Sequence, residues 1–201
     1  MLPVLIGMTE PKENRESPCA LGRFWRKSDG AALHEWKHEC NSVCAIRCGI
    51  ERIAVTSIAG HFCIDAFKDV SPVPVIDLLD VVKLEVTRRG LRRVGLLGTK
   101  VVMETGFYGV LDGVEVVAPV ADLLQVHEAY VAMASAGVAT PVQREVFLRA
   151  GVTLTRQQGC DVIMLAGTDL ALVFKEGDDP GFETLNCAAL HAEAIATAAM
   201  I

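Results

Sequence analysis

A chain of 201 residues, 51% hydrophobic and 22% charged, is long and apolar enough to bury a sizeable core, which excludes a disordered chain and leaves room for one large or two small domains. Its net charge of −6 and pI near 5.4, with basic residues dispersed apart from Arg88-Arg89 and Arg92-Arg93, exclude a surface built to neutralise phosphate backbones, so nucleic acid is not an expected partner. The start shows no basic stretch leading into a long apolar run, no segment reads as a bilayer span, and seven irregularly spaced cysteines read as reduced thiols rather than a disulfide framework. The expectation is a soluble cytoplasmic protein without a membrane partner.

In chain order, "PVLIG" (3–7) reads as a first strand, followed by a charged, turn-rich loop over 10–30. A helix is expected over 32–48. It carries His34-Glu35-Trp36-Lys37-His38, a formal H-E-x-x-H match in which one-turn spacing sets two imidazoles on one face. A zinc peptidase is only a remote reading of this stretch. Just 33 residues precede His34, no H-x-x-G-x-x-H continuation follows, and Lys37 sets a cation beside the proposed metal. Cys40, Cys44 and Cys48 recur every four residues, which is an apolar helix stripe rather than a tetrahedral site, and no metal ligand is assigned.

Next come the strand "RIAVTS" (52–57), a helix over 61–69, the strand "PVPVID" (72–77) and a helix over 77–90. Then follow "RVGLLGT" (93–99), "VEVVAP" (114–119), helices over 121–137 and 141–158, "DVIMLAGT" (161–168) and a last helix over 184–200. Strands that are apolar throughout, rather than alternating, are covered on both faces. Their alternation with helices is the pattern of an α/β fold with parallel sheets.

In open parallel sheets ligands sit beyond the carboxyl ends of the strands. Those ends carry Thr56-Ser57, Thr99 and Thr168-Asp169, each just before an expected helix start. Serine and threonine are ordinary helix caps, but their recurrence at three strand ends points to a small carboxylate or phosphate held between loops. "GLLGTK" lacks the spacing of a phosphate-binding P-loop, and no G-x-S-x-G surrounds Ser57.

Five blocks, "GIERIAVTSIAGHFCIDAF" (49–67), "VPVIDLLDVV" (73–82), "RVGLLGTKVVMETGFY" (93–108), "GCDVIMLAGTDLAL" (159–172) and "LNCAALHAEAIA" (185–196), stand in an order and spacing that resemble the aspartate/glutamate racemase superfamily. The resemblance implies an α/β fold of two pseudo-symmetric parallel-sheet lobes flanked by helices, with the ligand cleft between them. Residues 1–90 with 184–201 would form one lobe and 91–183 the other. It also implies a homodimer and cofactor-independent isomerisation of a small amino or dicarboxylic acid, in which two thiols alternate as proton acceptor and donor.

This sequence departs from that pattern where the thiols belong. Anchored on His61, "TSIAGH" sets Ser57 at the first cysteine position, and "AGTD" sets Gly167 at the second, with Thr168 and Asp169 matching the remainder of that motif. Three readings remain open. Cys63 or, preferably, Cys187 near the start of the last helix takes over as a thiol. Alternatively His191 is the general acid/base, while Ser57, Thr99, Thr105, Thr168 and Asp169 line the substrate and Tyr108 donates a hydrogen bond. In the third, the chain binds a small carboxylate without catalysis. At the amino-terminal lobe, Thr9 within "LIGMTEP" is a further, weaker site residue.

Overall fold

The protein is described by a computed structural model that covers residues 4–7, 51–175 and 177–200. The expected 32–48 helix with His34, Glu35 and His38, the 10–30 loop and Thr9 lie outside the described residues. Two parallel sheets organise the chain. The first has the order β1-β2-β3, from β1 (Val4–Gly7), β2 (Arg52–Val55) and β3 (Val75–Ile76). The second has the order β5-β4-β6-β7, from β4 (Arg93–Gly98), β5 (Glu115–Val117), β6 (Val162–Ala166) and β7 (Thr184–Asn186).

Every pairing among the described residues is parallel, so their carboxyl ends within a sheet face one way. Gly7 lies opposite Val55 in the first sheet, and Gly98 opposite Ala166 in the second. β6 is buried along its whole length and β4 at all but its first residue. Layered helices cause this. α4 (Leu123–Ala136) and α5 (Pro141–Arg156) pack on β4, α5 also packs on β6, and α6 (Cys187–Ala198) packs on β6 as well. Because neither face meets water, alternation is lost from these strand sequences.

Local sequence fixes the helix boundaries. Thr140 and Gln143 form a reciprocal capping box, with Pro141 in the first turn, at the start of α5. Asp77 caps α2 (Leu78–Arg88) by accepting the Leu79 N–H at 2.7 Å. Gly137 closes α4 in the left-handed conformation. Gly98 is required for a different reason: a Cβ there would stand 2.5 Å from the carbonyl oxygen of Ala166, so the close approach of β4 and β6 at their carboxyl ends admits no side chain.

The sequence expectations set no bounds for two short elements. α3 (Lys100–Glu104) follows Thr99 directly, and β7 occupies the first residues of what read as the terminal helix. Chain 58–63 is a 3-10 turn that precedes α1 (Ile64–Val70), so the helix expected from 61 begins three residues later. After Asn186 the chain leaves the second sheet as α6, which packs along α2 and against β3 of the first. Among the described residues no helix is long and apolar enough to cross a membrane.

Candidate functional site

The carboxyl ends of the first sheet deliver a buried polar cluster. His61, on the 3-10 turn after β2, and His191, on α6, are each 2% exposed, with ring centroids 6.2 Å apart in an edge-on arrangement. His61 Nδ1 donates to the Ser57 carbonyl at 2.8 Å, and His191 Nε2 donates to the Ile76 carbonyl at 2.8 Å. A carbonyl only accepts, so these bonds fix both tautomers: the lone pair of neutral His61 lies on Nε2 and that of His191 on Nδ1.

Asp77, the last residue before α2, is buried beside them and lies 3.8 Å from His61 Nε2. Its other oxygen pairs with Lys68, which also reaches Asp80 at 3.1 Å. His61 Nε2 is buried without a hydrogen-bond partner among the described residues. Burial pushes both imidazoles below the usual histidine value, against the opposing pull of their carbonyl acceptors and of Asp77. Two neutral imidazoles therefore stand at the end of the first sheet at neutral pH.

The second sheet reaches toward this cluster through Tyr108. Its hydroxyl donates to the carbonyls of Ile58 and Ala59, at 3.0 and 3.1 Å. Burial, with Cys63 nearby, pushes the phenol up to about 12, so it stays a donor. The turn that aims it is left-handed at four consecutive residues, Gly106 through Gly109, with φ of 59° at Phe107 and 61° at Tyr108. Each non-glycine residue held this way costs about 1–2 kcal/mol, and such strain concentrates where a side chain must be aimed. Thr105 braces the turn by accepting the Tyr108 N–H at 3.1 Å, while its own hydroxyl donates to Val101.

Ser57 is half-buried and its hydroxyl makes no capping bond. Thr99 Oγ1 is buried with no hydrogen-bond partner among the described residues, which marks a polar group in want of one. At the end of β6, Thr168 Oγ1 lies 3.5 Å from Asp169 Oδ2, and Tyr130 Oη donates to the same oxygen at 3.0 Å. Burial, then the Asp169 charge, pushes the Tyr130 phenol well above its ordinary value. Gly167 lies under that ring. A Cβ there would stand 2.3 Å from Tyr130 Cε2, so Tyr130 fills the volume that a thiol at this position would need.

Cys187 does not sit as a reactive thiol does. Although it opens α6, it is wholly buried, its nearest acceptor is the Leu185 carbonyl at 3.9 Å, and burial pushes it up to about 12. Desolvation outweighs any benefit of the helix start, and the side chain acts as apolar packing. Cys63 is half-buried and also shifted upward by burial. Brief alkylation followed by peptide mapping is expected to label Cys63 while Cys187 stays unlabelled until the protein is unfolded; prompt labelling of Cys187 would show that its shell opens.

A cavity of about 190 Å³ lies beside the cluster, between α1, α2 and the 110–112 segment. Asp65, Asp77, Asp80 and Asp112 line it with Lys68 and Lys83, so it is net acidic and unsuited to a free carboxylate. Sequence reasoning missed Asp77, which reads as an ordinary cap; Tyr130, whose signal is a shared helix face with His127 three residues earlier; and His61 as more than an alignment anchor.

No curated protein matches the chain. Among solved structures the fold is similar to an aspartate racemase homologue from Pyrococcus horikoshii (TM-score 0.74, 25% identity, 90% of this chain and 81% of that one). It is also similar to a candidate Asp/Glu racemase from Yersinia pestis (TM-score 0.72, 25% identity, 85% and 75%). The aspartate racemase of Picrophilus torridus shares the fold (TM-score 0.66, 19% identity, 90% and 75%). The family model for Asp/Glu/hydantoin racemases matches residues 25–195, and with two parallel sheets and paired polar strand ends beneath that match, the chain belongs to the Asp/Glu/hydantoin racemase family.

Proposed function

We propose that the protein transfers an α-proton on a small amino or dicarboxylic acid of the aspartate or glutamate type, without a cofactor, using imidazole where the family pattern has thiols. The observation that carries this reading is His191. Its Nε2–H is committed to Ile76 and its burial keeps it neutral, so Nδ1 holds a lone pair beside the strand ends at physiological pH. A proton next to a carboxylate is very weakly acidic, and the acceptor needs donors that stabilise the charge left behind. Ser57, Thr99 and Thr168 are the groups proposed to hold the carboxylates, while the Tyr108 hydroxyl, whose proton goes to the Ile58 and Ala59 carbonyls, positions the turn that follows Ser57.

On family resemblance alone the reading includes a cytoplasmic homodimer and a ligand held between residues 1–90 with 184–201 and residues 91–183. The near-complete burial of both imidazoles favours a second reading, a protein that binds a small carboxylate and does no chemistry. Incubation with L-aspartate, D-aspartate, L-glutamate or D-glutamate in D₂O separates the two. Incorporation of deuterium at the α-carbon, lost in His191→Asn, is the expected result. Thermal stabilisation by these acids without exchange would leave binding alone, and the absence of both effects would sink the reading.

A further inference from the structure

We infer that His127 is a ligand-binding residue at the end of β4, where its Nε2–H and the Thr99 hydroxyl together donate hydrogen bonds to a carboxylate of the ligand. The inference rests on the carboxylate-cleft reading above and assigns a residue to one end of the ligand.

His127 lies on α4, half-buried, and its Nδ1 accepts the backbone N–H of Lys100 at 3.1 Å. A backbone N–H only donates, so Nδ1 holds the lone pair and the ring proton sits on Nε2. This is the reverse of His191, whose Nε2 is committed to a carbonyl. One imidazole is thereby fixed as an acceptor at Nδ1 on the first-sheet side, and the other as a donor at Nε2 on the second.

An imidazole Nε2–H held in place by a bond at Nδ1 is a preorganised donor for carboxylate charge. Lys100 follows Thr99, whose hydroxyl is buried and lacks a partner among the described residues. Three residues along the same face of α4, Tyr130 reaches Asp169 at the end of the adjacent strand β6. α4 therefore lays two aromatic donors across neighbouring strand ends. The Tyr130 hydroxyl is already spent on Asp169, while Nε2 of His127 and the hydroxyl of Thr99 have no hydrogen-bond acceptor among the described residues.

The test uses succinate and L-aspartate as probes on the full chain. In ¹⁵N-resolved spectra His127 is expected as the Nε2–H tautomer, with its Nε2–H resonance moving on titration with either probe. His127→Asn keeps an oxygen to accept the Lys100 N–H but removes the Nε2 donor. It is expected to hold its thermal stability and to bind both probes about 10- to 150-fold more weakly, the worth of one lost hydrogen bond to a charged acceptor. Thr99→Val is expected to weaken them to a similar extent.

An Nδ1–H tautomer, or unchanged affinity in the stable His127→Asn protein, would overturn the inference while leaving the carboxylate cleft in place. Should the probes bind and move only resonances of other residues, the inference fails in the same way. If neither probe binds the unaltered protein at all, the carboxylate-cleft reading fails and the subsite with it.

Discussion

Gly167→Cys is expected to destabilise the protein by about 3 kcal/mol, a fall of about 6–12 °C in Tm for a chain of this size, although cysteine is what the family pattern has at that place. The cause is steric. The new Cβ would stand 2.3 Å from Tyr130 Cε2 and 2.8 Å from both Cζ and the hydroxyl, and the ring has little room to retreat. Tyr130 is 8% exposed and tied to Asp169. Tyr130→Ala alone costs about 3–5 kcal/mol through the cavity it leaves, but the double variant is expected to be no less stable than Tyr130→Ala by itself. The coupling between the two substitutions is then about as large as the Gly167→Cys loss. Tyr130→Phe retains the ring and gives no relief. Thermal or urea unfolding of the four proteins decides the matter; additive losses, or a Gly167→Cys protein as stable as the starting one, would show that the ring moves freely. The consequence for function is that a second thiol cannot be installed beside Tyr130, so the loss of the thiol pattern is built into the packing of α4 as well as into the sequence of β6.

The range of each interaction decides whether the sequence discloses it. β4 and β6 are legible because burial on both faces leaves uninterrupted apolar runs. β7 is not: of Thr184, Leu185 and Asn186 only Leu185 is buried, and three residues before an alanine-rich helix carry no period of their own. α3 is five residues long, too short for a helical period to declare itself. The strand-end hydroxyls at Ser57, Thr99 and Thr168 are readable because parallel topology fixes which end of a strand matters. Cys187 misleads, since its place at a helix start is visible in the sequence and its complete burial is not. Tyr108 is identifiable from its block, but the left-handed turn that aims it is not, because nothing in "ETGFYG" requires Phe107 and Tyr108 to share the conformation of their flanking glycines. His127, Tyr130 and Asp77 act through partners 27, 39 and 16 residues away in the chain, and local patterns do not register pairs at such separations.

The buried histidine pair should make the protein acid-sensitive in a defined direction. Both imidazoles titrate below the ordinary value of 6.5 when folded. Between the folded values and 6.5 the unfolded chain holds more protons than the folded one, so acid favours unfolding. The contribution of the pair is full above about pH 6.5, falls as pH drops through that value, and levels off below the folded values. Its slope is at most about 1.4 kcal/mol per pH unit for each imidazole. Asp77 opposes this, since its charge favours both imidazolium forms. Asp77→Asn, which keeps an oxygen to cap Leu79, is expected to move both histidines further down in a ¹H–¹⁵N titration and to extend the acid-sensitive window to lower pH. Asp77→Ala is expected to cost about 2–4 kcal/mol at neutral pH, because it removes the α2 cap and leaves half-buried Lys68 with Asp80 alone. Urea unfolding of the three proteins between pH 5 and 8 measures both effects. A His61→Gln, His191→Gln double variant retaining the same slope would place the sensitivity elsewhere. Histidine titrations that stay in place or move upward in Asp77→Asn would show that the Asp77 charge does not favour the imidazolium forms.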